Sequence, residues 1–355
     1  MQAIQLSAPG ILTAIERDVP TVPAGHALVR VDLVGLCGSD ASYFTRGANG
    51  DFVVSEPLVL GHEVIGTVTE IGAVTEIGAV TEIGTGSSGA PRVGDRVAVH
   101  PAWPSPRQGE SSVAADLALE RPSFLGTAST RPHSDGGLQE YLSVRVERLR
   151  VLPEALPPTT AVLAEPTAVV LHALGKAGDV SGAEAFVCGA GPIGLLTVLA
   201  LQRAGAARVT VSDVRPAALQ LARRLGADAI VDASHTPVPE SSVDIAIEAT
   251  GVPAALANAI AATRPGGRIV QLGMLPRDPR PLSLSALVTK ELRLFGSHRF
   301  LGELDAAVQL LASTPNAARI VTTVIPFAQA ALAFEAVTDP AVVGKVAIAV
   351  NEPVT

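Results

Sequence analysis

The hydrophobic pattern divides the chain into two halves of different rhythm. Through the first 34 residues short apolar runs alternate with Pro and Gly, as in Val19-Pro20-Thr21-Val22-Pro23-Ala24-Gly25-His26-Ala27-Leu28-Val29-Arg30-Val31. Such punctuation predicts strands rather than helices. A strand is expected over Ala27 to Val34, then a tight turn at Gly35-Leu36-Cys37-Gly38-Ser39-Asp40 and an apolar run at Leu58-Val59-Leu60. A further strand is expected around Val93 to Val97, and Asp135-Gly136-Gly137 reads as a turn into a strand from Leu138 to Val144. Residues 101 to 123 form an irregular stretch rich in Pro and Ser. After a boundary near Pro153 to Pro158, Thr160 to Gly175 has helical spacing, with Glu165-Pro166 near its start and His172 on roughly the same face.

From there the pattern becomes regular β-α alternation. Ala185-Phe186-Val187-Cys188 reads as a buried strand, Leu195 to Ala204 as a helix, and Arg208 to Ser212 as a strand ending on Asp213. Strands at Ala229 to Val231, Asp244 to Ala249, Arg268 to Leu272 and Leu292 to Phe295 complete a doubly wound parallel sheet. The segment from about Leu301 is expected to return to the first domain through a helix and a strand at Lys345-Val346-Ala347-Ile348. With 355 residues the chain exceeds one ordinary core. The fold class is α/β, with a β-rich domain at 1–154 and 301–355 and a dinucleotide-type domain at 155–300.

One stretch fits neither rhythm. Thr67-Val68-Thr69-Glu70-Ile71-Gly72 is followed by Ala73-Val74-Thr75-Glu76-Ile77-Gly78 and Ala79-Val80-Thr81-Glu82-Ile83-Gly84, then by Gly86-Ser87-Ser88-Gly89. A six-residue unit is too short for a solenoid, and its even length keeps flanking side chains on their faces. It is read as a local tandem duplication on the surface.

Composition narrows the function. Charged residues make up 17% and the net charge is -8, so there is no basic footprint for nucleic acid or anionic membrane. The apolar stretches are interrupted by Glu165, His172 or Gln202 before they reach membrane-spanning length, and Met1 to Leu6 lacks the features of a leader. Two cysteines, Cys37 and Cys188, exclude a disulfide framework and fit a reducing compartment. The expectation is a cytoplasmic protein whose partner is a small molecule.

Two constellations carry chemistry. Cys37 in its glycine-flanked turn, with His62 and Glu63 in Gly61-His62-Glu63, offers sulfur, nitrogen and oxygen. Three such ligands with an open position suit a catalytic zinc. Alone, the cysteine reads as a small buried hydrophobe and the dipeptide as a solvated turn; their conjunction favours metal. Tyr43 and Phe44 either wall a pocket there or belong to the core. The second constellation is Gly189-Ala190-Gly191-Pro192-Ile193-Gly194, between a strand and a helix, with Asp213 closing the next strand. Those glycines let backbone approach a pyrophosphate at a helix N-terminus, and the carboxylate suits the ribose hydroxyls of NAD. Arg215 lies two residues on and could accommodate a 2′-phosphate, leaving NADP possible. Gly273, after the Arg268 to Leu272 strand, joins this cofactor-binding set. Cys188 sits in the cofactor strand, which leaves Cys37 as the thiolate ligand and one zinc per chain. His172 is expected to be a satisfied core or helix-face histidine ahead of any catalytic role.

In this order and across nearly the whole chain, Gly-x-Cys-Gly-Ser-Asp, Gly-His-Glu, Glu165-Pro166, Val-Gly-Asp-Arg-Val, Asp-Gly-Gly and Gly-Ala-Gly-Pro-Ile-Gly resemble the zinc-dependent medium-chain dehydrogenases, polyol branch. The stretch from Phe124-Leu125-Gly126 to Pro132-His133-Ser134-Asp135-Gly136-Gly137, with Gly296-Ser297-His298-Arg299-Phe300, is most similar to the L-idonate 5-dehydrogenases, and next to sorbitol dehydrogenases. The resemblance implies a GroES-like catalytic domain beside a Rossmann domain. It implies catalytic zinc on Cys37, His62 and Glu63, with Glu165 a ligand directly or through water. It implies a proton relay at Ser39 and a supporting role for Asp40, while Tyr43, Arg299 and Phe300 are the candidate substrate contacts. Arg299 is placed by its position after the last strand, with an interdomain salt bridge as the competing reading. A four-cysteine structural zinc common in relatives has no counterpart, because residues 101 to 123 contain no cysteine. A homo-oligomer, dimer or tetramer, is implied. The expected reaction is NAD-dependent oxidation of a polyol or aldonate, L-idonate first. A sugar alcohol, vicinal diol or cyclitol is the alternative, and a silent redox sensor the reading from another class.

Overall fold

The computed structural model describes residues 1–73, 89–103, 123–276, 278 and 281–351. The second and third repeats from Val74 onward, the linker to Ser88 and most of the Pro- and Ser-rich stretch lie outside the described residues. The chain forms two compact units: Met1–Glu165 with Thr323–Val342 and Val346–Thr355, and Pro166–Thr322 with Val343–Lys345.

A seven-stranded sheet carries the first unit. Its order is Leu149–Val151, Arg96–Val99, Glu63–Ile71, His26–Gly35, Lys345–Ala349, Val321–Pro326, with Tyr141–Arg145 also pairing onto His26–Gly35. His26–Gly35 reads as a nearly continuous apolar run because it is central and buried along most of its length. Its one buried acid, Asp32, is held by Arg30 Nη2 at 2.8 Å and by the Thr67 hydroxyl at 2.8 Å. Register matters more than composition here. Gly35 pairs with Glu63, so the strand that leads to Cys37 lies beside the strand that begins at Glu63. A Cβ on Gly35 would collide with the Glu63 carboxylate, so glycine here leaves that carboxylate where it stands.

The Asp135-Gly136-Gly137 motif straps the same region. Gly136 N donates to Val59 O, Gly137 N to Gly61 O and Leu138 N to Leu60 O, at 2.7, 2.8 and 3.0 Å. Asp135 Oδ1 accepts from Val59 N at 2.9 Å, and its other oxygen pairs with Arg17 at 2.7 Å. The predicted turn is therefore also the support for the segment that presents His62.

The second unit is a six-stranded parallel sheet in the order Ala229–Asp232, Arg208–Asp213, Glu184–Cys188, Val243–Glu248, Thr263–Gln271, Arg293–Gly296. Helices Pro192–Arg203, Pro216–Arg224 and Pro253–Ala262 each start with proline, whose fixed φ and missing N–H suit a first helical turn. The boundaries differ from those expected at 154 and 301. Leu304, Ala307, Val308, Leu311, Ala317 and Ile320 are buried within the parallel-sheet unit, and the chain returns to the first unit only at Thr323. An amphipathic helix shows which face it buries, not which sheet will cover that face.

Lys290 closes the end of helix Pro253–Ala262. Its ammonium donates to Ile260 O, Ala261 O and Thr263 O at 3.2, 2.8 and 3.0 Å, where terminal carbonyls lack helical partners. Lys290→Met is expected to lower unfolding free energy by about 1–2 kcal/mol while keeping the aliphatic stem. Equal urea midpoints for the two proteins would refute that role.

Candidate functional site

The turn predicted at Cys37 is the start of an α-helix, Gly38–Arg46. Cys37 stands at its N-cap, and Asp40 on the first turn returns a carboxylate oxygen to Cys37 N at 2.9 Å. The other Asp40 oxygen accepts from Gly61 N at 3.3 Å and lies 3.6 Å from His62 Nδ1. Asp40, with no exposed surface, thus ties the cysteine turn to the histidine turn. Ligand atoms of Cys37, His62 and Glu63 all lie within 4.8 Å of one another. His62 is 5% exposed and Glu63 1%, and the Phe124 ring lies 5.6 Å from the imidazole, centroid to centroid.

This donor set fits a zinc ion. Burial opposes a charged His62 ring, yet Asp40 and then Cys37 hold its pKa well above the ordinary value. Negative charge is therefore concentrated where a cation would displace that proton, since zinc takes the neutral imidazole. Nδ1 is buried without a hydrogen bond and faces Asp40, the arrangement in which a carboxylate orients a ligating ring.

The remaining expected residues are distributed as follows. Ser39 is half-buried on the first turn of the same helix. Glu165 is 6% exposed in the first turn of helix Ala164–Ala177, and its carboxylate is not within 4.8 Å of all three cluster ligands. Tyr43, expected either to wall a pocket or to belong to the core, packs in the core of its unit at 1% exposure, its hydroxyl accepting from Ala128 N at 3.3 Å. A ring so enclosed contributes packing before contact with a solute. Phe44 stacks obliquely on Phe334, 5.0 Å between centroids. Arg299 and Phe300 follow strand Arg293–Gly296, the first half-buried and the second 3% exposed.

In the second unit, Gly191 caps helix Pro192–Arg203, whose first-turn N–H groups have no intrahelical acceptors. A Cβ on Gly194 would meet the Gly189 carbonyl, so the third glycine of the motif allows helix and strand to touch. Asp213 Oδ2 accepts from Ala190 N at 2.7 Å, which joins the glycine loop to the acid that closes the next strand. Burial alone would raise the Asp213 pKa, but hydrogen bonds from Arg215 and Ala190 lower it, so the carboxylate is anionic. Arg215 Nε lies 3.1 Å from Oδ1 and Nη2 3.3 Å from Oδ2. These groups fit the adenosine end of a dinucleotide.

The sequence reading missed Glu248. It has no exposed surface and accepts hydrogen bonds from Thr250 N at 2.7 Å, Gly251 N at 3.1 Å, the Thr250 hydroxyl and Gln271 Nε2. Gln271 Nε2 also donates to Gly273 O at 2.6 Å, so this acid shapes the loop that holds Gly273. The available signal was an acid ending the apolar strand Val243–Glu248. Cys188 is buried, and burial together with the Glu248 charge pushes its thiol pKa upward, away from a ligating thiolate.

Comparison with known proteins agrees with this geometry. Residues 23–154 match the alcohol dehydrogenase GroES-like domain, and residues 192–313 match the zinc-binding dehydrogenase domain. The chain is 34% identical over 335 residues to the probable D-xylulose reductase A of Emericella nidulans, covering 90% of this chain and 88% of that protein. It is 33% identical to the sorbitol dehydrogenase of Gallus gallus, covering 94% and 92%. The crystal structure of L-idonate 5-dehydrogenase from Escherichia coli superposes with a TM-score of 0.88 at 28% identity, covering 98% of each chain. No helix among the described residues is long and apolar enough to cross a membrane.

Proposed function

The chain belongs to the zinc-binding alcohol dehydrogenase family, polyol branch, and from that premise we propose that it oxidises a secondary alcohol of an aldonate, L-idonate to 5-keto-D-gluconate, with NAD as acceptor. The observation that carries the reading is the buried trio Cys37, His62 and Glu63, a thiol, an imidazole and a carboxylate within 4.8 Å. When bound, zinc would supply Lewis-acid activation of the alcohol and NAD would supply the hydride acceptor. Cys37 and Glu63 would contribute two negative charges to the metal, and Asp40 would keep His62 oriented toward it. Glu165 would join the metal directly or through a water. Ser39 takes up the hydroxyl proton and passes it outward, and Arg299 grips the polar end of the substrate. Gly189, Gly191, Pro192, Ile193, Gly194 and Gly273 make room for the dinucleotide, and Asp213 holds its ribose. The enzyme is further proposed to work in the cytoplasm as a homo-oligomer, dimer or tetramer, in keeping with its two free cysteines.

A neutral polyol is the second reading, favoured by the similarity to the sorbitol and xylulose enzymes. A panel of aldonates, polyols, vicinal diols and cyclitols with NAD, scored by kcat/KM, separates the two. No turnover on any of them with zinc and NAD bound would point to a redox sensor. Arg299→Ala is expected to cost about 2 kcal/mol or more on aldonates and less on neutral polyols, because a guanidinium pairs bidentately with a carboxylate. An equal loss on both classes would move the assignment to a neutral polyol.

NAD is expected to exceed NADP in kcat/KM by roughly tenfold or more, because the anionic Asp213 repels a 2′-phosphate and its neighbour Arg215 is already engaged with it. Asp213→Ser should narrow that gap. Comparable kcat/KM with the two cofactors in the unaltered enzyme would show that Arg215 outweighs Asp213.

A further inference from the structure

The segment from Ser297 to Gly302 carries Arg299 and belongs to no helix or strand. Within it Arg299 adopts φ +55°, a left-handed backbone that a side chain with a Cβ disfavours. Something must hold it there. At the near end Ser297 N donates to Gln271 O at 3.0 Å, and the middle is anchored by the buried Phe300 ring. At the far end Leu301 N donates to Glu303 Oε2 at 2.8 Å. The other oxygen of Glu303 receives His172 Nδ1 at 2.7 Å, from helix Ala164–Ala177.

His172 is 8% exposed, and its Nε2 is buried without a hydrogen-bond partner among the described residues. Among the described residues the one polar contact of this ring is Glu303, so the pair holds the imidazole and the carboxylate to each other. Burial would raise the Glu303 pKa, but the His172 and Leu301 hydrogen bonds bring it below the ordinary range, so the carboxylate accepts from both. Helix Leu304–Ala312 begins directly after Glu303, so the brace joins two helices and the strained segment at one carboxylate.

We propose that Glu303 and His172 are positioning residues which brace the 299–301 backbone and so present Arg299 to the polar end of the substrate. The inference rests on the substrate role given to Arg299 above. It assigns function to a histidine and an acid that take no part in the metal or dinucleotide chemistry.

The test is a double-mutant cycle in the full-length, zinc-loaded enzyme, with the best substrate of the panel. Glu303→Ala is expected to raise KM by roughly tenfold with kcat within about threefold, and to leave zinc content and the NAD dissociation constant unchanged. In an Arg299→Ala background the same substitution should change KM by less than about twofold, because it would act through a side chain already removed. Glu303→Gln, which keeps an acceptor for Leu301 N–H, should recover most of the lost affinity. His172→Asn, checked for folding by circular dichroism, should reproduce the KM effect if Glu303→Ala does not fold.

An undiminished effect of Glu303→Ala in the Arg299→Ala background would overturn the brace. So would a fall in kcat at constant KM, or a parallel loss of zinc and NAD binding. If Arg299→Ala alone leaves KM unchanged, the substrate role of Arg299 fails and the inference fails with it, a result distinct from an additive cycle.

Discussion

Cys37→Ala is expected to abolish zinc binding and turnover together. The trio holds one thiol, and the other cysteine of the chain is buried with its thiol pKa pushed upward. Removing the sulfur leaves an imidazole and a carboxylate from adjacent positions, with the half-buried Ser39 too weak a donor to substitute. The loss of Lewis-acid chemistry should lower kcat/KM by at least about 10³, and zinc content should fall from one per chain to near none. Cys188→Ala serves as the control and should keep its zinc. Glu165→Ala should weaken zinc or activity without eliminating both, since Glu165 stands outside the closest cluster. Elemental analysis that found zinc retained in Cys37→Ala, or two tightly held zincs per unaltered chain, would contradict the assignment.

Asp40→Ala should damage the same site from one layer further out. The Asp40 carboxylate has no exposed surface, accepts from Cys37 N and Gly61 N, and faces His62. Truncation leaves two backbone donors without their acceptor, a destabilisation on the order of 2–4 kcal/mol when the cost of each buried orphan is counted. It also frees the imidazole to rotate, so zinc affinity should drop about 10- to 100-fold. Asp40→Asn keeps one acceptor oxygen and should fall between the two. Thermal melts and zinc titrations on the three proteins check the order, and wild-type values for Asp40→Ala would remove Asp40 from the site.

The two predictions rest on features of different legibility. The trio itself was readable, because a thiol, an imidazole and a carboxylate beside glycine turns are an unusual conjunction in a chain with two cysteines. The glycine motif with Asp213 was equally clear, since the chemistry of pyrophosphate and ribose demands those residues close together in sequence. Asp40 was readable only through resemblance, because its role depends on spanning from the Cys37 turn to Gly61. Glu248 was missed for the same reason: an acid at a strand end has no sequence signal separating a solvated charge from one enclosed by four donor groups.

What the sequence by itself determined is the local order of things: which stretches form strands or helices, where the turns lie, and which donor types are available. Hydrophobic period, proline and glycine act over a few residues, so these features need no distant partner. The tertiary structure decided the rest. The pairing of Gly35 with Glu63 brings two motifs into one cluster, and the helix and turn at Leu304 to Ile320 join the parallel-sheet unit. Tyr43 goes to the core, and His172 finds Glu303 across 131 residues of chain. Each of these outcomes depends on which surface or charge meets the residue from elsewhere in the fold, and an amphipathic helix or a lone acid carries no record of its partner.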